Sequence, residues 1–127
     1  MLLELVEKTG ARRVVIDSLL DVLAGAGDPV RFREWMFSLT QRLTRAGVSL
    51  MMIVEVPDLF ELRRISEFGI SHLADNVILL QYVRDGAELA RSLTVLKTRA
   101  MEHRPMVRRY QITNEGFVLG DSLSATP

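Results

Sequence analysis

Apolar residues recur along this chain at two different spacings, and the change from one to the other divides it. Over residues 2–9, Leu2, Leu3, Leu5 and Val6 share one side of a helical wheel, and Gly10 stands where a helix commonly ends in a left-handed residue. Residues 13–17 read as a strand in which Val14, Val15 and Ile16 close on Asp17. Residues 18–24 are apolar without a decisive period, and Gly25, Gly27, Asp28 and Pro29 break the run, which predicts a mobile loop. From 30 to 46, Phe32, Trp35, Met36, Leu39 and Leu43 return every three or four positions, with Arg31, Arg33, Gln41, Arg42 and Arg45 elsewhere on the wheel and Gly47 as the stop. That helix is the best defined, and its stripe assigns Phe32 and Trp35 to the core rather than to base stacking. The unbroken run Leu50-Met51-Met52-Ile53-Val54, within 48–56, predicts a parallel strand covered on both faces and closed by Pro57.

The second half changes character. A helix is predicted over 59–68 with Gly69 as its stop, then a turn at 71–74, then strands at 76–83, 89–97, 106–113 and 117–119. Arg84-Asp85-Gly86-Ala87 and Asn114-Glu115-Gly116 supply hairpin connections. The fold class is therefore α/β, parallel strands with helices followed by an antiparallel β-meander, and residues 121–127 read as a disordered tail.

Composition narrows the function classes. One domain is the expectation for 127 residues, and 48% hydrophobic against 25% charged residues is the make-up of a chain with a real core. Sixteen basic residues balance sixteen acidic ones, so no global field favours nucleic acid or an anionic membrane. There is no cysteine, hence no disulfide framework and no thiolate metal site. No stretch approaches the roughly 18 apolar residues of a membrane span, and Glu4, Glu7 and Lys8 interrupt any signal-like core, so a cytoplasmic protein is expected.

Two features carry chemistry. A buried-type strand ending in an acid is how a Walker B element presents a hard oxygen to Mg²⁺, which makes Asp17 a candidate metal ligand. An acid in that position also serves simply to cap the next helix. The phosphate loop G-x-x-x-x-G-K-[ST] occurs nowhere among these residues. Farther on, Lys97, Arg99, His103 and Arg104 fall within eight residues at a strand end, with Arg108 and Arg109 beyond, so several donors could converge on one anion; a solvated charged loop is the plainer reading. Alternation puts Lys97 and Arg99 on one side of a strand, where two cations repel unless an anion comes between them. His72 and His103 are too few and too distant for a structural metal, and His72 reads as solvated.

The segments RRVVIDSLLDVL, GVSLMMIVEV, FGISHLADNVILLQYV and LTVLKTRAMEHRPMVRRYQITNEG, in this order and spacing, resemble the carboxyl-terminal half of the KaiC-like branch of RecA-superfamily ATPases. The resemblance covers residues 1 to about 120 and implies a truncated RecA-like P-loop ATPase core whose P-loop half is absent. It implies ATP and Mg²⁺ as cofactors, Asp17 as the Walker B acid, and Lys97 and Arg99 as trans-acting fingers that reach a γ-phosphate held by a neighbouring subunit. Thr98, Met101 and His103 would line that nucleotide, and Thr113 with Asn114 would touch its base or sugar. Ser71 occupies the position of a phosphoacceptor serine in the clock members, with His72 in place of the threonine.

Departures from the family pattern shape the expectation. Ala100 and Met101 replace a glycine and a hydroxyl residue after the arginine, and Ile53 and Val54 replace a threonine pair, leaving Glu55 as the polar group at that strand end. With no P-loop and no catalytic glutamate, the catalytic set is incomplete and the chain alone is expected not to hydrolyse ATP. The missing P-loop strand would lie between the strands at 50–55 and 76–82, so the gap is expected to close by re-pairing, by strand exchange in a homo-oligomer, or through a P-loop-bearing partner. The alternative function is a degenerate, non-enzymatic oligomerisation or interaction module of signalling or clock-type complexes. A recombinase-like DNA-binding role in the same superfamily is a third reading with no specific support in the residues.

Overall fold

The computed structural model describes residues 1–55, 70–99, 102 and 106–123. They belong to two compact units, Met1–Leu73 and Ala74–Pro127. The helix expected over 59–68 and residues 124–127 lie outside the described residues.

The first unit contains α1 (Leu2–Thr9), β1 (Arg13–Asp17), α2 (Leu19–Ala26), α3 (Pro29–Arg45), β2 (Ser49–Ile53) and a single helical turn, α4 (Ile70–Leu73), where a non-helical turn was predicted. Gly10 ends α1 at φ 65, as its position suggested. The ambiguous apolar residues 18–24, with the break expected to begin a loop at Gly25, instead form the helix α2 and its cap. Its apolar residues Leu19, Val22, Leu23 and Ala26 recur at helical spacing, and all four pack into one core cluster. Ser18, in an extended conformation, caps α2 by accepting the Leu20 N–H at 3.3 Å. Gly27 ends the helix at φ 70, a conformation that other residues rarely adopt. Asp28 then caps α3 by accepting the Val30 N–H at 2.9 Å, with Pro29 in the first turn. The glycine, aspartate and proline that looked like a loop are the stop of one helix and the start of the next.

β1 and β2 pair in parallel, with Val14 opposite Leu50, Val15 opposite Met51, Ile16 opposite Met52 and Asp17 opposite Ile53. The even-numbered side packs on the helices in two clusters, one built on Val6, Leu39, Leu43 and Val48, the other on Leu19, Phe32 and Met36. The odd-numbered side is bare: Val15 is 58% exposed and Met51 62%. The strand expected to be covered on both faces is thus covered on one, and it ends at Ile53. Trp35 lies at the rim of the α3 stripe rather than in the core, 41% exposed beside the fully buried Phe32.

The second unit is the meander β3 (Asn76–Asp85), β4 (Glu88–Thr98), β5 (Arg108–Thr113) and β6 (Gly116–Ser122), antiparallel in that order. β6 carries Asp121 and Ser122, and the Leu123 N–H donates to the Val107 carbonyl at 2.7 Å, so these residues belong to the sheet and not to the tail expected from 121. Leu79 faces Thr94, Gln81 faces Ser92 and Val83 faces Ala90 on one side of the β3–β4 ribbon. The fully buried Ser92 satisfies its hydroxyl by donating to the Gln81 carbonyl at 3.1 Å. A β-bulge follows: Ile78 pairs with Val95 but Val77 with Lys97, which leaves Leu96 as an extra residue. The described strands form two sheets, β1-β2 and β3-β4-β5-β6, so the expected re-pairing of the strands at 50–55 and 76–82 is absent among them.

Two stability measurements follow from this packing. Phe32→Ala removes a ring with no exposed surface and should cost about 3–5 kcal/mol in urea unfolding. The Thr94 hydroxyl is buried without a partner among the described residues, so Thr94→Val should raise stability by about 1 kcal/mol in the same assay.

Candidate functional site

Asp17 is the last residue of β1 and lies on its bare side, in line with Val15. Because Ser18 supplies the cap of α2, the Asp17 carboxylate is not used for capping, and it has no hydrogen bond or ion pair among the described residues. The peptide joining the two residues is cis. Since the strands run in parallel, the exposed Glu55, two residues past β2, follows from the same carboxyl end of the pair. A carboxylate here offers the oxygen donor that Mg²⁺ accepts when waters and phosphates complete its shell. No group of three or more His, Cys, Asp or Glu that could hold a metal ion gathers among the described residues.

The cationic segment is set by β4. Lys97 and Thr98 are its last two residues and Arg99 follows at a bend. The bulge at Leu96 places Lys97 opposite Val77, on the side of the ribbon that bears Leu79 and Thr94. Thr98 faces Asn76, and one step past the ladder Arg99 Nη1 lies 2.7 Å from Asp75 Oδ1 in an ion pair. Asp75 was missed in the sequence. Counting back from the Gly86-Ala87 turn without a bulge pairs Asp75 with Thr98; the extra residue moves its partner to Arg99.

Of the other predicted residues, Thr113 and Asn114 are not drawn to this end. Met101 and His103 lie outside the described residues, as does the side chain of Ser71, whose backbone is in α4. His72 is exposed, as its solvated reading required. The Thr113 hydroxyl is engaged in the β5–β6 turn, donating to the Gly116 carbonyl and accepting from the Glu115 N–H, each at 3.2 Å; Asn114 is exposed in the same turn. The pairing of Ser92 with Arg109 and Leu93 with Arg108 runs β5 away from the end of β4 that bears Lys97.

The second unit also holds an open cleft of about 430 Å³, whose lining includes Gln111, Asp121 and the ion-paired Asp85 and Arg109. On the opposite side of the ribbon, a hydrogen bond to Tyr82 raises the Arg91 pKa above its ordinary value, which leaves its charge unchanged at any working pH. No helix among the described residues is long and apolar enough to cross a membrane.

The family model that describes the KaiC ATPase matches residues 1–124. Circadian clock protein KaiC3 of Synechocystis sp. is 29% identical over 120 residues, which are 94% of this chain and 24% of that protein. The circadian clock oscillator protein KaiC of Parathermosynechococcus lividus is 31% identical over 113 residues, 88% of this chain and 20% of that protein. Among solved structures, a KaiC-like protein of the hyperthermophilic archaeon Pyrococcus horikoshii OT3 superposes with a TM-score of 0.73 at 26% identity, over 93% of this chain and 50% of that one. The chain therefore spans between a fifth and a quarter of the relatives' length and half of the solved protein.

The division of labour at the end of β1 can be measured. Ser18→Ala should cost about 1 kcal/mol of stability through loss of the cap, whereas Asp17→Ala should change it by less than about 0.5 kcal/mol, both by thermal unfolding.

Proposed function

The chain belongs to the KaiC family of ATPases, and from that footing we propose that it contributes Asp17 to one ATP site and Lys97 and Arg99 to the ATP site of a neighbouring subunit, the phosphate loop of each site coming from a P-loop-bearing polypeptide. The observation that carries this reading is the Asp17 carboxylate, left without a partner at the carboxyl end of a parallel strand while Ser18 caps the helix behind it. Bound Mg²⁺ would neutralise charge on the β- and γ-phosphates. Asp17 would hold that ion through one oxygen, with Glu55 available to orient a water at the same strand end. Lys97 and Arg99 would meet a γ-phosphate presented by a neighbour, the guanidinium engaging two oxygens at once. Thr98, Met101 and His103 would extend the contact along the nucleotide, and Asn114 with Thr113 would reach its base or sugar. Ser71 remains a candidate phosphoacceptor.

A second reading is favoured by a specific observation. The bare side of β1 and β2, with Val15, Met51 and Ile53 exposed, is the kind of surface that parallel sheets normally cover. An interaction module that keeps this surface and has lost turnover would look the same there.

Co-expression with a P-loop-bearing polypeptide from a KaiC-family ATPase, followed by phosphate-release assays, separates the two. The chain alone should give no turnover and the complex should hydrolyse ATP. Arg99→Ala should lower kcat of that complex by about 10³-fold or more, as loss of an arginine finger does. A stable complex with no turnover supports the interaction module, and hydrolysis by the chain alone overturns the shared site.

A further inference from the structure

We propose that Asp75 is a positioning residue for Arg99, holding its guanidinium at the end of β4 in an ion pair that a phosphate anion displaces. The proposal rests on the shared-site reading above and adds to it a resident competitor for the anion.

The geometry begins with register. Asn76 and Thr98 form the last pair of the β3–β4 ladder, and Asp75 and Arg99 occupy the next position outward, with Nη1 2.7 Å from the carboxylate. A guanidinium has five donors, so this contact leaves most of the fork available to a second acceptor. Backbone pairing one residue away holds the carboxylate and the guanidinium together without any covering element.

Exposure decides what the pair can do. The Arg99 side chain is 64% exposed and that of Asp75 61%. An ion pair this wet is worth at most about 1 kcal/mol, enough to bias the arginine towards one orientation and too little to resist a better acceptor. A triphosphate is a better acceptor, since it carries several charges and matches the guanidinium with two oxygens rather than one. A buried pair would have locked Arg99 away; this one holds it in reach.

The neighbouring cation gives the carboxylate a reason to be there. The bulge puts Lys97 on the side of the ribbon opposite Val77, two residues before Arg99, so two positive charges gather at one strand end. In the absence of a ligand, Asp75 is the acid that faces Arg99 at this end. When a phosphate arrives it takes over that role and the carboxylate returns to water.

The test uses the full chain at low ionic strength, titrated with inorganic tripolyphosphate and followed by calorimetry and by the Nε–Hε resonance of Arg99. Asp75→Asn should tighten binding by about 2- to 5-fold, the range an exposed pair allows. The gain should vanish in Asp75→Asn combined with Arg99→Ala, because it acts through the guanidinium and not through net charge. A gain that persists without Arg99 overturns the proposal as a general field effect. If tripolyphosphate moves the Lys97 and Thr98 resonances while Arg99 and the affinity of Asp75→Asn stay unchanged, the exchange is overturned and the shared site stands. If none of these resonances moves, the exchange is likewise overturned, and the shared site is judged by turnover of the complex.

Discussion

The first unit depends on one packing arrangement, the even-numbered side of a two-stranded parallel sheet pressed onto α3. Val14, Ile16, Leu50 and Met52 can all reach the helices because β1 and β2 are in register and each alternates with period two. Removing apolar surface from water is the favourable term here, at roughly 25 cal/mol per Å², and it is collected on that side alone. The same alternation sends Asp17 to the other side, in line with the exposed Val15. Burial of one face and presentation of the acid on the other are a single consequence of strand geometry.

The second unit distributes its charge locally. A chain with no net charge could carry its acids and bases far apart, yet the aspartates at either end of β3 each meet an arginine: Asp75 with Arg99 just before it, Asp85 with Arg109 at its close. Each pair is substantially exposed, so each fixes the direction of a side chain more than it adds to stability.

Much of this architecture could be read from the residues. α1, β1 and α3 follow from strong periodicity bounded by glycine, and the meander from β-rich runs between hairpin residues. The elements that escaped have definite causes. α2 was hidden because Gly27, Asp28 and Pro29 punctuate two helices as readily as they form a loop. The unbroken apolar run around Met51 contains no polar position to mark which side is covered, so it looked buried on both. The partner of Arg99 was out of reach because pairing had to be counted across a bulge that hydrophobicity does not announce. The candidate site was legible as residue types; how those residues are held was not. Thr113 shows the reverse case, a hydroxyl named for a ligand that the turn itself uses.

Leu96 gives the ribbon a parity shift. Up to Thr94 the even-numbered residues of β4 line one flank; beyond the extra residue that flank passes to the odd-numbered ones, Lys97 first. Regular pairing of Leu96 with Val77 would restore uniform alternation, keep the hairpin ladder, and transpose the lysine to the flank of Leu93 and Val95. The address of these cations is therefore written in the pairing register rather than in side-chain chemistry, and it is the bulge that keeps Lys97 opposite Val77 although one residue has been added to the strand.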